Sequence, residues 1–276
     1  MRRDSEADRP PQQVVANLAA VTDVAATFSS MAMYPYESLR SSWDDLYGMV
    51  ARGVTGAPNE LRWDLDVHDT WLSPQLVLGM TCGWPLVNQL QRRVRVVGTF
   101  VYAVDGEVSH TYRSVIIARQ AATVADLTDR TLAFNSTDSL SGYVSMISLL
   151  PAGQSAWAGP TLETGGHLLS IDAVRDGCAD IASIDALAWT YTQREAPETL
   201  QGLVIIDRGP LVPHLPLITN IATTDESLGA WRTAFAETIR NPAMATTLDR
   251  LMIQGFVALD VADYETALSP LRRVSM

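Results

Sequence analysis

The chain has 276 residues, 47% hydrophobic and 18% charged, with a formal net charge of −11 at pH 7. That length and apolar content can bury a real core, as one large domain or two small lobes, and they exclude a disordered chain. The acidic balance repels nucleic acid and anionic membranes at long range, and the absence of lysine removes P-loop, Schiff-base and lysine general-base chemistry.

Residues 1–20 read as a mobile tail. Its basic start is interrupted by Asp4, Glu6 and Asp8, and the mildly apolar Val14–Ala26 carries Asn17 and Asp23, so no export signal is read. No stretch reaches the ~20 apolar residues of a membrane span. Val24–Met33 reads as a first strand, and Pro35 can open a helix in which Leu39, Trp43, Leu46, Tyr47 and Val50 recur at helical spacing. Glu60–Val67 alternates as a strand does, and Ser73 begins a short helix carrying Leu76, Val77 and Met80. Val94–Tyr102 and Tyr112–Arg119 follow as strands, then a helical turn at Val124–Leu127.

A series of strand–turn–helix units comes next. Thr131–Asn135 is a strand, Ser136–Leu140 a loop and Ser141–Leu150 a helix; Pro160–Thr164 is a strand and His167–Arg175 a helix; Ala179–Ile184 is a strand and Ala186–Arg194 a helix. Leu203–Ile206 leads into a proline-rich crossing at Pro210–Pro216, followed by a strand at Leu217–Ala222 and helices at Leu228–Arg240 and Pro242–Gln254. The alternation specifies an α/β protein. Breaks near Arg119 and Pro210–Pro216 divide it into a first lobe of residues 21–118 and 213–276 and an inserted second lobe of 119–212, with two crossings that can act as a hinge.

The turns carry the chemistry. Asp138-Ser139-Leu140-Ser141-Gly142-Tyr143 places hydroxyls and amides where a helix opens, which is where an oxyanion finds donors and a partial positive charge. Gly142 can let the backbone approach a ligand, and Ser139 or Ser141 can equally serve as a helix cap. Gly166-His167 repeats the arrangement with a histidine that can donate to an anion or remain a capping residue. Asp185 follows a wholly apolar strand and can meet a positive group on a ligand or cap the next helix. Turns at the carboxyl ends of neighbouring strands share one crevice. Cys82 and Cys178 are expected as free buried thiols. Asp64, Asp66 and Asp69 lack the glycine and closing glutamate of a calcium loop, and the four histidines have no metal spacing.

Asp138–Tyr143, Gly166-His167 and Ala179-Asp180-Ile181-Ala182, in that order, resemble the phosphonate/phosphate-binding (PhnD-like) proteins of ABC transporters, together with Met33-Tyr34 and Thr81-Cys82-Gly83-Trp84-Pro85. The resemblance implies a two-lobed type 2 periplasmic-binding-protein-like fold with the ligand cleft between the lobes. That family holds its phosphonate with a Ser-Thr-Ser-Gly turn and a histidine, which fall here on Ser139, Leu140, Ser141, Gly142 and His167, with leucine in place of threonine. The remaining expected ligand contacts are Asp185, Tyr34, Trp71 and Cys82. The implied partners are a small anionic ligand and, if the protein is exported, an ABC transporter permease. No catalytic residue, cofactor, metal or nucleic acid is expected. The resemblance implies a periplasmic location; the missing signal leaves a cytoplasmic ligand sensor on the same fold as the alternative. An enzyme using His167 or Cys82 is a further one, without a base at recognisable spacing from either.

Overall fold

The computed structural model describes residues 26–272, and the expected tail over 1–20 lies outside them. Two sheets organise the chain. The first is built from β1 (Phe28–Ser30), β2 (Leu76–Met80), β3 (Val94–Val104) and β4 (Glu107–Ser109), and the second from β5 (Thr111–Ala118), β6 (Leu132–Phe134), β7 (Thr161–Glu163), β8 (Ile181–Ile184) and β9 (Val204–Pro213). The chain then returns to the first sheet with β10 (Leu217–Asn220) and β11 (Ile253–Val257). The first sheet runs β1-β2-β10-β3-β11 with β4 paired to β3, and the second runs β7-β6-β8-β5-β9.

The second sheet is covered on both faces, which explains its continuous apolar strands. Val115 and Ile117 of β5 enter the main core and Ile116 enters a separate cluster with Leu132, Phe134, Met146, Trp157 and Ile181. Ala133 of β6 and Ala182 of β8 face back to the main core, as the two-residue period of a strand requires. In the first sheet, Trp43, Leu46, Tyr47 and Val50 of the helix Arg40–Ala51 pack beside Trp231 and Phe235 of the helix Asp225–Arg240. Tyr47 stacks on Trp231 at 6.4 Å, and Trp43 tilts against Phe100 of β3 at 6.0 Å.

Several elements differ from the sequence reading. Leu76–Met80 is a strand, not a helix: it pairs with β1 in parallel and with β10 antiparallel, so its apolar side chains are required on both faces. Glu60–Val67 makes only an isolated bridge from Leu61 to Ser29, and Val67 opens the helix Val67–Trp71, capped by Asp66. The expected helix over Pro242–Gln254 ends at Arg250, and Ile253 starts β11 along β3. β9 runs through Pro210 to Pro213, because Thr111 pairs with Pro213 at the rim. The described residues end in a further helix, Val261–Arg272, that the sequence reading did not assign.

Strand pairing also moves one boundary. β5, placed with the first lobe when 21–118 was read as one unit, pairs with β8 and β9 of the second sheet. The crossings between sheets therefore fall at His110 and at His214–Pro216. They lie side by side, since the His214 amide donates to the His110 carbonyl at 2.9 Å.

Candidate functional site

β7, β6 and β8 are adjacent and parallel, so the three turns at their carboxyl ends lie next to one another. The ladder extends past the strands: Thr164 N–H donates to the Phe134 carbonyl at 2.8 Å and Gly165 N–H to the Asn135 carbonyl at 2.9 Å. This holds the turn after β6 against the turn after β7. Facing them are the turns after the parallel pair β1 and β2, which carry Met31–Tyr36 and Thr81–Pro85. A cavity of about 560 Å³ lies between these two sets of loop ends.

Seven of the nine site residues expected from sequence line that cavity: Tyr34, Trp71, Cys82, Ser139, Ser141, His167 and Asp185. Ser141 Oγ and His167 Nε2 are 2.9 Å apart although they belong to different turns. His167 Nδ1 is buried without a partner, and burial pushes the imidazole pKa down, so the neutral ring is the stable form. Ser139 Oγ accepts the Gly142 amide at 2.9 Å. It is therefore a helix cap, and its own hydrogen is free to point at a ligand; the two readings of this serine are compatible. Asp185 likewise caps the helix Ala186–Glu195, accepting from the Leu187 and Ala188 amides at 2.9 and 3.1 Å, and it stays 2% exposed on the cavity wall.

Leu140 and Gly142 do not line the cavity. The Leu140 amide, expected to face an anion, donates to Cys82 Sγ at 3.3 Å. Gly142 is required by Asn135, not by a ligand: a Cβ at position 142 would lie 1.8 Å from Asn135 Oδ1. Cys82 is a buried neutral thiol, its pKa pushed up to about 11 by burial, whereas Cys178 is exposed beyond the helix His167–Arg175, against the expectation of two buried thiols.

Further wall residues were not singled out in the sequence. Tyr36, His68, Asp138, Glu163, Leu168 and Leu169 are among them. His68 packs against Trp71 at 4.7 Å, and its Nε2 lies 3.8 Å from Asp138 Oδ2 on the opposite side. The hydroxyl of Tyr36 donates to the Ala188 carbonyl at 2.7 Å and meets Thr192 Oγ1 at 2.9 Å, and Tyr34 OH reaches Asp185 Oδ1 at 3.5 Å. The two halves of the cavity are thus bonded to each other across it. Only a fold-level view brings these residues together, because Tyr36 and Ala188 are 152 positions apart. Among the described residues no arginine lines the cavity.

The sequence matches, over residues 74–264 and so over more than half of the chain, the family described as ABC transporter, phosphonate, periplasmic substrate-binding protein. A search of the curated proteins finds no match. Among solved structures, a binding protein component of an ABC phosphonate transporter from Pseudomonas aeruginosa superposes with a TM-score of 0.72 at 19% identity, covering 90% of this chain and 84% of that one. PhnD1 from Prochlorococcus marinus, in complex with methylphosphonate, gives 0.70 at 12% identity over 90% of this chain and 97% of that one. A Xanthomonas citri protein bound to ATP gives 0.65 at 15% identity, over 91% of this chain and 99% of that one. These likenesses establish the fold as the two-lobed type 2 periplasmic-binding architecture. On the family match, the chain belongs to the phosphonate-binding periplasmic substrate-binding proteins of ABC transporters.

Proposed function

We propose that this protein captures a small phosphonate or related oxyanion between its two lobes and delivers it unchanged to an ABC importer. The observation that carries the reading is the meeting of Ser139, Ser141 and His167 on one wall of an interlobe cavity, although they arise from two different strand-to-helix turns. When the neutral His167 donates its Nε2–H to Ser141 Oγ, the Ser139 and Ser141 hydroxyl hydrogens are both left for an oxyanion in a site sheltered from water, where each counts for more than at a surface. In this reading residues up to His110 and from His214 onward form one lobe, and the intervening strands form the other.

Closure follows from the same contacts. A solute bound by the second lobe and touched by Tyr34, Trp71 and Cys82 of the first favours the shut state by its differential affinity. The bonds from Tyr36 to Ala188 and from Leu140 to Cys82 hold that state. Calorimetry with phosphate, phosphite and methylphosphonate tests the proposal. The wild-type protein should bind at least one of them, and Ser139→Ala combined with Ser141→Ala should lower that affinity at least 100-fold, with an unchanged circular dichroism spectrum. Unchanged affinity in the folded double variant would remove this site.

A further inference from the structure

The cavity is much larger than the head group its polar wall can hold. Methylphosphonate has five heavy atoms and displaces about 150 Å³ if each takes roughly the ~30 Å³ share of a water molecule. The cavity measures about 560 Å³. The ~410 Å³ left has room for up to roughly fourteen further heavy atoms at about 30 Å³ each beside the head group.

The walls define what that remainder is. Away from Ser139, Ser141 and His167 the lining includes Met33, Val67, Trp71, Leu168 and Leu215, all apolar. Trp71 presents its ring, since its Nε1 is already donated to the Met80 carbonyl at 2.9 Å. The acidic side chains on the wall have other work. Asp185 accepts two helix amides and faces the Tyr34 hydroxyl, and Asp138 accepts from Ser136 Oγ at 2.6 Å and lies beside His68. Glu163 is at the exposed rim. An ammonium group would have to reach an Asp185 whose Oδ1 is already engaged or an Asp138 beside His68, whereas an apolar substituent gains contact with Met33, Val67, Trp71, Leu168 and Leu215.

We infer that the natural solute is an organic phosphonate whose substituent is an uncharged apolar chain or ring of about six to ten carbon atoms, its head at Ser139, Ser141 and His167 and its body against Val67, Trp71 and Leu168. The inference rests on the phosphonate reading above and names the substrate class for the same site. Burial of each methylene tightens binding about fourfold.

Calorimetry of the full chain with methyl-, butyl-, hexyl- and phenylphosphonate, and with 2-aminoethylphosphonate against ethylphosphonate, provides the test. Affinity should climb about fourfold per methylene to hexyl, and the amine should weaken binding relative to ethyl. Leu168→Ala should flatten the chain-length series, lowering hexylphosphonate affinity more than methylphosphonate affinity. A flat series in the wild-type protein, or tighter binding of the amine, overturns the apolar-substituent inference and leaves the phosphonate reading standing. Failure of every phosphonate to bind takes down both.

Discussion

Replacing His214 with phenylalanine should remove much of the acid sensitivity of the fold. His214 lies in the second crossing, 1% exposed, stacked on Tyr112 at 4.6 Å and edge-on to Tyr102 at 4.7 Å. Its Nδ1 is buried without a partner, and burial pushes its pKa from 6.5 down to about 4. Between those values the unfolded chain binds a proton that the folded chain refuses. Stability therefore falls as pH falls from about 6.5, and this loss is complete below about 4. At ~1.36 kcal/mol per pKa unit the loss is on the order of 3 kcal/mol in full, most of it by pH 4.5. His167, also pushed down by burial, acts in the same direction. Asp64, Asp126 and Asp176, whose pKa values are lowered by hydrogen bonds to Arg62, Thr123 and Arg175, lose their contribution only below the ordinary carboxylate range. The histidines therefore govern the slope above pH 4.5. Urea unfolding followed by tryptophan fluorescence at pH 7, 5.5 and 4.5 measures it. His214→Phe keeps the ring contacts and should lose roughly 2 kcal/mol less than wild type between pH 7 and 4.5. Equal losses in the two proteins would refute the assignment of this proton to His214.

Other perturbations separate site, cap and scaffold. Tyr36→Phe removes the hydroxyl shared with Ala188 and Thr192, which is worth about 1 kcal/mol in the shut state; methylphosphonate binding measured by calorimetry should weaken about fivefold, and small-angle scattering of the free protein should show a larger radius of gyration. Gly98→Ala should cost about 3 kcal/mol in urea unfolding, because Gly98 has φ +156° and a Cβ there would lie 2.3 Å from the Val257 carbonyl oxygen. Asp185→Ala removes a cap that accepts two amides and should cost about 1 kcal/mol. Asp185→Asn should retain most of that stability and bind methylphosphonate more tightly than wild type, since one negative charge leaves the wall; weaker binding would show that the carboxylate itself contributes to recognition.

The second sheet was legible because its strands are short, apolar on both faces and punctuated. Ser139, Gly166 and Asp185 each stand where a strand gives way to a helix, and local capping chemistry is enough to place them. That β6, β7 and β8 are parallel neighbours follows once each is joined to the next by a helix. The first sheet was less legible. Leu76-Val77-Leu78-Gly79-Met80 is an apolar run of a length that suits a buried strand or a turn of buried helix, and only its pairing with β1 and β10 decides between them. β11 was hidden for a related reason: Ile253–Val257 follows directly on a helix, and its partner β3 lies about 150 positions earlier. β5 was read with the first lobe because it is continuous in character with the strands before it, and only its pairing with β8 and β9 puts it in the second sheet. That Leu140 and Gly142 fall off the cavity wall was not legible, because their neighbours Cys82 and Asn135 arrive from other segments.

The charge distribution explains how an acidic, lysine-free chain can hold an anion at all. Several of its arginines fasten the fold. Arg119 donates to the Val174 and Ala179 carbonyls and pairs with Asp180, which pins the end of the helix His167–Arg175 and the start of β8 behind the site. Arg232 donates to the Val96, Val97 and Leu259 carbonyls, joining β3 to the segment before the last helix. With no arginine on the wall among the described residues, the proposed recognition rests on uncharged donors, whose desolvation costs much less than that of an ammonium or guanidinium. Such a site discriminates by the direction of its hydrogens more than by total charge, and salt screens it weakly because no exposed ion pair is involved. With Asp138 and Asp185 on the same wall, each added negative charge on the solute is opposed. A singly charged head with a large uncharged body is the combination these walls accommodate at least electrostatic cost.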